Sequence, residues 1–340
     1  MQPSSLTSSA PQRESQRIFY LDLLRLAATF GVIFIHLAMD TNFWYITAVY
    51  DGLVRWCVPI FVMISGALFL NPQRELSVSI VLHKYVKRLL VAYLFWYVFY
   101  CLCKFLFSAL DHGSMPLSVG LRPYYHLWFL PMLACVYLLI PVLRRIAGEG
   151  HLLVYALVLW AVWVTLGFVM VRRIPQVSSL FSMQQVGGYA GYFLLGYFLA
   201  SRTLSRRQRL VVYALGILSA LAGFLAYAFL FDWKPVTASK LLQSLVPHVV
   251  LMSAALFVFV RQHASWLERR IGGFVRYVRR DLFGVYLIHA FWIMRFDRQF
   301  FWDLRSNLLY LPLLAIAVFF LSLYATKLLR HIPFMSRFVE

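Results

Sequence analysis

Long apolar stretches alternate with short polar joints along most of the chain, and none shows the every-other-residue alternation of a half-buried strand. A run of about 20 apolar residues is the length of a helix that crosses a bilayer. Such runs occur at 19–39, 52–70, 89–110, 124–143, 152–171, 187–201, 210–231, 241–260, 282–296 and 308–326. The pattern predicts an all-α, polytopic integral membrane protein of about ten transmembrane helices. Two runs, 187–201 and 282–296, are short enough to be tilted, irregular or partly re-entrant. Residues 1–18, rich in Ser and Gln at their start, read as a disordered cytoplasmic lead-in, 19–326 as the transmembrane domain and 327–340 as a cytoplasmic tail. No small-residue cleavage site follows a short apolar core, so a signal peptide is not expected. No fixed-period repeat and no inverted-repeat symmetry of the transporter kind is visible.

Composition agrees: 62% of residues are hydrophobic and 13% charged, against roughly one quarter charged in soluble domains. The formal net charge of +19 raises nucleic acid as a partner. The Lys and Arg, however, cluster between apolar runs, as cytoplasmic loops do. One set of alternate joints holds Arg74/Lys84/Lys87/Arg88, Arg144/Arg145, Arg202/Arg206/Arg207/Arg209 and Arg261/Arg269/Arg270/Arg276/Arg279/Arg280. The positive-inside bias therefore places both termini in the cytoplasm, against a weaker contrary signal from Arg172/Arg173 and the 295–305 stretch. Cys57, Cys101, Cys103 and Cys135 lie in or beside apolar runs without CxxC spacing, so neither a disulfide framework nor a metal site is expected.

The first run carries three ionisable residues, Asp22, Arg25 and His36, in "DLLRLAATFGVIFIH". Arg25 and His36 are eleven positions apart, three helical turns plus about 20°, so they share one stripe and stand roughly 16 Å apart along the axis. Asp22 falls near the same stripe one turn earlier, where an i,i+3 ion pair with Arg25 is the natural contact. Arg in hydrocarbon costs several kcal/mol, so the stripe should face protein or a wet cavity. A snorkelling Arg and a hydrogen-bonded His give the same pattern as a site, and the spacing leaves both readings open. Asp22 is about 21 Å from His36 on a straight helix, so any partner orienting the imidazole must come from another helix.

Other polar residues punctuate later runs. Ser65 and Gly66 in "VPIFVMISGALF" read as close helix packing or as a hydroxyl of a site. Lys84, Lys87 and Arg88 in "HKYVKRLL" fall within about one turn and read as an interfacial anchor or a phosphate clamp. Arg122, Tyr124, Tyr125, His126 and Trp128 in "RPYYHLWFLP" read as an interfacial aromatic belt or as a sugar-stacking rim. Tyr286 and His289 in "LFGVYLIHAF" share a helix face, as a core pair or as site groups. His248 has no evident role.

Taken in order, "DLLRLAATFGVIFIH", "VPIFVMISGALF", the basic run, "YYHLWFL" and "GVYLIHAF" resemble the membrane-bound acyltransferase 3 family over about residues 19 to 295. The length is similar to that of its short forms without a fused hydrolase domain, such as the enterobacterial common antigen O-acetyltransferase. The Arg-ten-residues-His spacing of the family's first helix is matched by Arg25 and His36. Many members open the third helix with two arginines three apart; Arg88 matches the second, but Tyr85 stands where the first is expected, with Lys84 and Lys87 nearby. An acidic residue found in some members after the fourth-region tryptophan has no counterpart here.

The resemblance implies an O-acyltransferase of the bacterial inner membrane. It would carry an acyl group, acetyl above all, from cytoplasmic acetyl-CoA to a sugar hydroxyl of an envelope glycan or lipid-linked sugar, without a metal. His36 and Arg25 are then the expected catalytic residues, with Arg25, Lys84, Lys87 and Arg88 binding the CoA phosphates. Asp22, Ser65 and His289 would support them, and Tyr124, Tyr125, His126 and Trp128 would meet the acceptor. Transfer would be direct, with His36 as general base, or through an acyl-histidine. A reading of another class is a secondary transporter or flippase using Asp22, Arg25 and His36 as a relay, which would move substrate without acyl-CoA.

Overall fold

Apolar continuity decides where the helices run, and prolines and capping residues decide where they break. A computed structural model describes residues 10–38, 44–110, 115–173, 184–231, 233, 241–296 and 308–339. The principal helices are α1 (Ala10–Ala38), α2 (Trp44–Tyr50), α3 (Cys57–Phe69), α4 (Lys87–Leu110), α5 (Phe129–Leu138), α6 (Ile140–Gly148) and α7 (Gly150–Arg173). They are followed by α8 (Gln184–Ser201), α9 (Arg206–Leu230), α10 (Pro247–Gln262), α11 (Ala264–Val278), α12 (Leu282–Phe296), α13 (Tyr310–Arg330) and α14 (Ser336–Val339). Part of the expected lead-in, residues 1–9, lies outside the described residues; α1 starts at Ala10.

Every one of the ten expected segments contains one of these helices, but the number long and apolar enough to cross a membrane is smaller. Among the described residues it is six, or eight if each of two bent pairs is a single span. The two left over are the two short runs. With 15 residues, α12 is only about 22 Å long, less than the roughly 30 Å hydrocarbon core, and α8 opens on polar and glycine residues. The bends have local causes. Pro141 in the first turn of α6 has no N–H to continue the ladder of α5, and the two helices meet at 57°. At His263 the chain turns by 85° from α10 into the amphipathic α11. Ser205 and Gln208 form a reciprocal capping box that starts α9.

The first helix is the most enclosed of the spans, with 67% of its apolar window buried against 22% for α7 and for α9; it therefore lies inside the bundle, against α3, α10, α11, α12 and α13. The peripheral helices keep their large apolar side chains outward, as Leu94, Leu102 and Leu106 on α4 do, which suits a lipid-facing surface. Helices α3 and α8 touch backbone to backbone. A Cβ on Gly66 would lie 1.8 Å from the Phe193 carbonyl oxygen, and one on Gly196 2.1 Å from that of Met63, so the Gly66 of the sequence pattern is a packing residue.

Two charged clamps shape the end of the bundle where Arg25 lies. Asp281, fully buried before α12, accepts from Arg330 at 2.5 Å and pairs with Lys327 at 2.9 Å, tying the start of α12 to the end of α13. Arg144 of α6 donates to the carbonyls of Phe69 (2.7 Å), Asn71 (3.2 Å) and Arg74 (3.0 Å). It thereby satisfies acceptors that the end of α3 leaves open.

Candidate active site

Asp22 and Arg25 form the expected pair on α1, at 2.9 Å, and Asp22 also reaches Arg279 at 3.5 Å. A cavity of about 410 Å³ opens beside them. Arg25, Arg74, Arg88, Arg279 and Arg280 all line it. Asp22 offsets part of the charge of Arg25 and Arg279, the five guanidinium groups still leave the cavity lining strongly positive, and planar N–H forks match phosphate oxygens. Local structure aims several of them. Arg74 leaves the turn that Arg144 holds, lies over the Phe69 ring at 4.7 Å and donates to the Tyr85 hydroxyl at 2.5 Å. Arg88, in the first turn of α4, lies over Phe283 at 5.6 Å. The short turn between α11 and α12 supplies Arg279 and Arg280, with Asp281 anchoring it from the next position.

Three turns further along α1, a second cluster surrounds His36. Its ring lies 4.5 Å from Tyr125, 5.3 Å from His289 in a stacked arrangement and 6.5 Å from His126. Two elements supply these partners: the segment ahead of α5 brings Tyr125 and His126, and α12 brings His289. The hydrogen bonds set the tautomers. His126 Nε2 faces the Leu287 carbonyl at 3.1 Å and His289 Nδ1 faces that of Tyr286 at 2.6 Å. A carbonyl oxygen only accepts, so these nitrogens carry the protons. The other ring nitrogens, His126 Nδ1 and His289 Nε2, are buried with no hydrogen-bond partner among the described residues. Buried acceptors left open in this way are uncommon in folded proteins. Among the described residues no group of three or more His, Cys, Asp or Glu side chains is arranged to hold a metal ion.

A group of three packed rings connects the two clusters through Tyr286. Phe61, Phe129 and Tyr286 line the arginine cavity, their centroids 5.7 to 6.0 Å apart. None of the three histidines lines that cavity. Tyr286 belongs to both sides: its hydroxyl donates to the His126 carbonyl at 2.5 Å, and its ring lies 5.9 Å from His289.

The other expected site residues are distributed unevenly. Ser65 is on the arginine side, lining the cavity with its hydroxyl 3.1 Å from that of Tyr137. Lys84 and Lys87 are exposed and do not line the cavity, Lys84 lying 5.7 Å from the Tyr85 ring. Tyr124 stacks on Tyr100 at 4.7 Å and abuts Tyr125 at 4.6 Å. Trp128, 37% exposed, sits 5.9 Å from Tyr189. Sequence reasoning treated Arg74, Arg279 and Arg280 only as topology-setting charges. A guanidinium flanking a turn looks the same in sequence whether it faces lipid phosphate or a cavity. A wider cleft of about 710 Å³ shares no lining residue with this cavity, and its arginines, Arg209 and Arg261, are hydrogen-bonded to backbone carbonyls.

A guanidinium-lined cavity and a histidine cluster thus share one buried helix, α1. The family model described as an acyltransferase domain matches residues 18–327. The chain belongs to the acyltransferase 3 family. The match spans all ten apolar segments, from 19 to 326, so the acyltransferase domain is the membrane domain. Membership decides for acyl transfer over transport. No match was found among curated proteins or solved structures.

Proposed function

We propose that this acyltransferase moves an acetyl group from cytoplasmic acetyl-CoA to a sugar hydroxyl of a cell-envelope glycan or lipid-linked sugar, in a bacterial inner membrane with both termini cytoplasmic. One observation carries the reading: the stripe of α1 that begins at Arg25, among five cavity-lining arginines, ends at His36, among rings with open acceptors. Acetyl-CoA has phosphates at one end and a thioester at the end of a long arm. The roughly 16 Å between Arg25 and His36 along the helix is of the order of that arm. Arg25, Arg74 and Arg88 hold the phosphates, and Arg74 supplies from the preceding turn the guanidinium that the Tyr85 position lacks. Lys84 and Lys87 add long-range attraction as exposed point charges.

Neutral His36 takes the proton of the acceptor hydroxyl as its oxygen attacks the thioester carbonyl. The C–O bond forms, the C–S bond breaks, and the thiolate of CoA leaves with a proton returned from the imidazolium. His289 and His126 hold acceptor hydroxyls through their open nitrogens, with Tyr124, Tyr125 and Trp128 as stacking surfaces for the sugar. Ser65 and Asp22 keep the donor side in shape.

Mass spectrometry of envelope glycans from cells with and without the gene tests the reading. Loss of one acetyl increment is expected, and identical spectra would overturn it. Arg25→Ala and Arg88→Ala each remove a charge-assisted phosphate contact. Each should raise the KM for acetyl-CoA about 10- to 100-fold with a smaller change in kcat. An unaltered KM in both would remove the arginine cavity from donor binding.

A further inference from the structure

Phe61, Phe129 and Tyr286 line the arginine cavity, the three histidines do not, and Tyr286 packs against both His126 and His289. In an assembled site the acyl carbon has to reach His36, so the rings stand in its path. Two edge-to-face contacts and one tilted one at 5.7 to 6.0 Å pack each of the three rings against the other two. Their anchoring is unequal. Tyr286 is held by its hydroxyl on the His126 carbonyl, and Phe129 and Tyr286 are 8% and 6% exposed, whereas Phe61 is only partly buried. Phe61 is therefore the ring with freedom to turn.

We propose that Phe61, Phe129 and Tyr286 form an acyl-length gate, which parts by rotation of Phe61 to admit a thioester with a short acyl chain and excludes longer ones. The gate rests on the acyl-transfer reading and adds substrate class to it. A swung phenyl ring vacates space for a few carbon atoms only. Each further methylene then meets packed aromatic carbon, and discrimination of about 10- to 200-fold per methylene is what an apolar pocket achieves.

The test compares kcat/KM for acetyl-, propionyl- and butyryl-CoA in membrane vesicles carrying the full chain, Phe61→Ala or Phe61→Leu. The wild type should fall about tenfold or more at each added methylene. Phe61→Ala should raise the butyryl-to-acetyl ratio at least about tenfold, and Phe61→Leu, which keeps bulk and is the milder change for folding, should raise it less. Acyl-CoA turnover by the wild type with the same ratio in both variants would overturn the gate alone. Absence of turnover by the wild type with every acyl-CoA would overturn the acyl-transfer reading and the gate with it. Phe129→Leu separates a local gate from general loosening: it should relax the ratio in the same direction, and a variant that instead lost all three substrates equally would count against it.

Discussion

His36→Gln should lower kcat by about 10²- to 10⁴-fold, the usual contribution of a positioned general base, while the residual activity shows a KM for acetyl-CoA within about threefold of native. Glutamine is close to histidine in size and keeps a polar amide, but it has no nitrogen that takes up a proton near neutral pH. The separation of the two effects follows from geometry. The imidazole packs against Tyr125 and His289, at 4.5 and 5.3 Å, whereas the donor's charged end is assigned to guanidinium groups about three turns away on the same helix. Steady-state kinetics on purified protein in proteoliposomes reads both constants. An unchanged thermal midpoint in detergent shows that the variant is folded. A near-native kcat in His36→Gln would remove the imidazole from proton transfer and leave His289 or His126 as the base.

Gly66→Val should leave almost no folded protein in the membrane, below about a tenth of the native yield by fluorescence-detected size exclusion. The first added carbon would lie 1.8 Å from the Phe193 carbonyl oxygen, and that oxygen belongs to helix backbone that cannot turn aside. The α3–α8 contact must open by more than an ångström. In lipid, helix association depends on such close van der Waals packing, because there is no hydrophobic driving force to replace it. Opening it also displaces Ser65, Phe69 and the Arg144-held turn that carries Arg74. Gly148→Val is the control, since a Cβ there meets nothing within 4 Å, and its yield should stay near native. Normal yield and activity in Gly66→Val would contradict the tight α3–α8 contact.

Legibility in the sequence differed by feature. Asp22–Arg25 could be read because an i,i+3 pair on one helix is local geometry, and the structure has it at 2.9 Å. The need for a partner to His36 from another helix was equally legible, since Asp22, the carboxylate on α1, stands about 21 Å away along the helix. Which partner could not be read. Tyr125, His126 and His289 come from segments some 90 and 250 positions away, and every one of them has an ordinary interfacial or core role in isolation. The same holds for the cavity: Lys84, Lys87 and Arg88 fall within about one turn, and of the three only Arg88 reaches the cavity lining.

The sequence alone determined the helical membrane class and the stripe on α1, because hydrocarbon forces each crossing segment to satisfy its own backbone and to be apolar almost throughout. Family membership was likewise written in local motifs, whose order does not depend on packing. Only the tertiary structure decided how many segments are long and straight enough to cross, which arginines gather on one cavity, and that packed rings of that cavity touch the histidine cluster through Tyr286. Those outcomes depend on bends, on glycine-mediated approach of helices and on ion-pair clamps between distant segments. Each is a contact between residues whose separation along the chain carries no information about their separation in space.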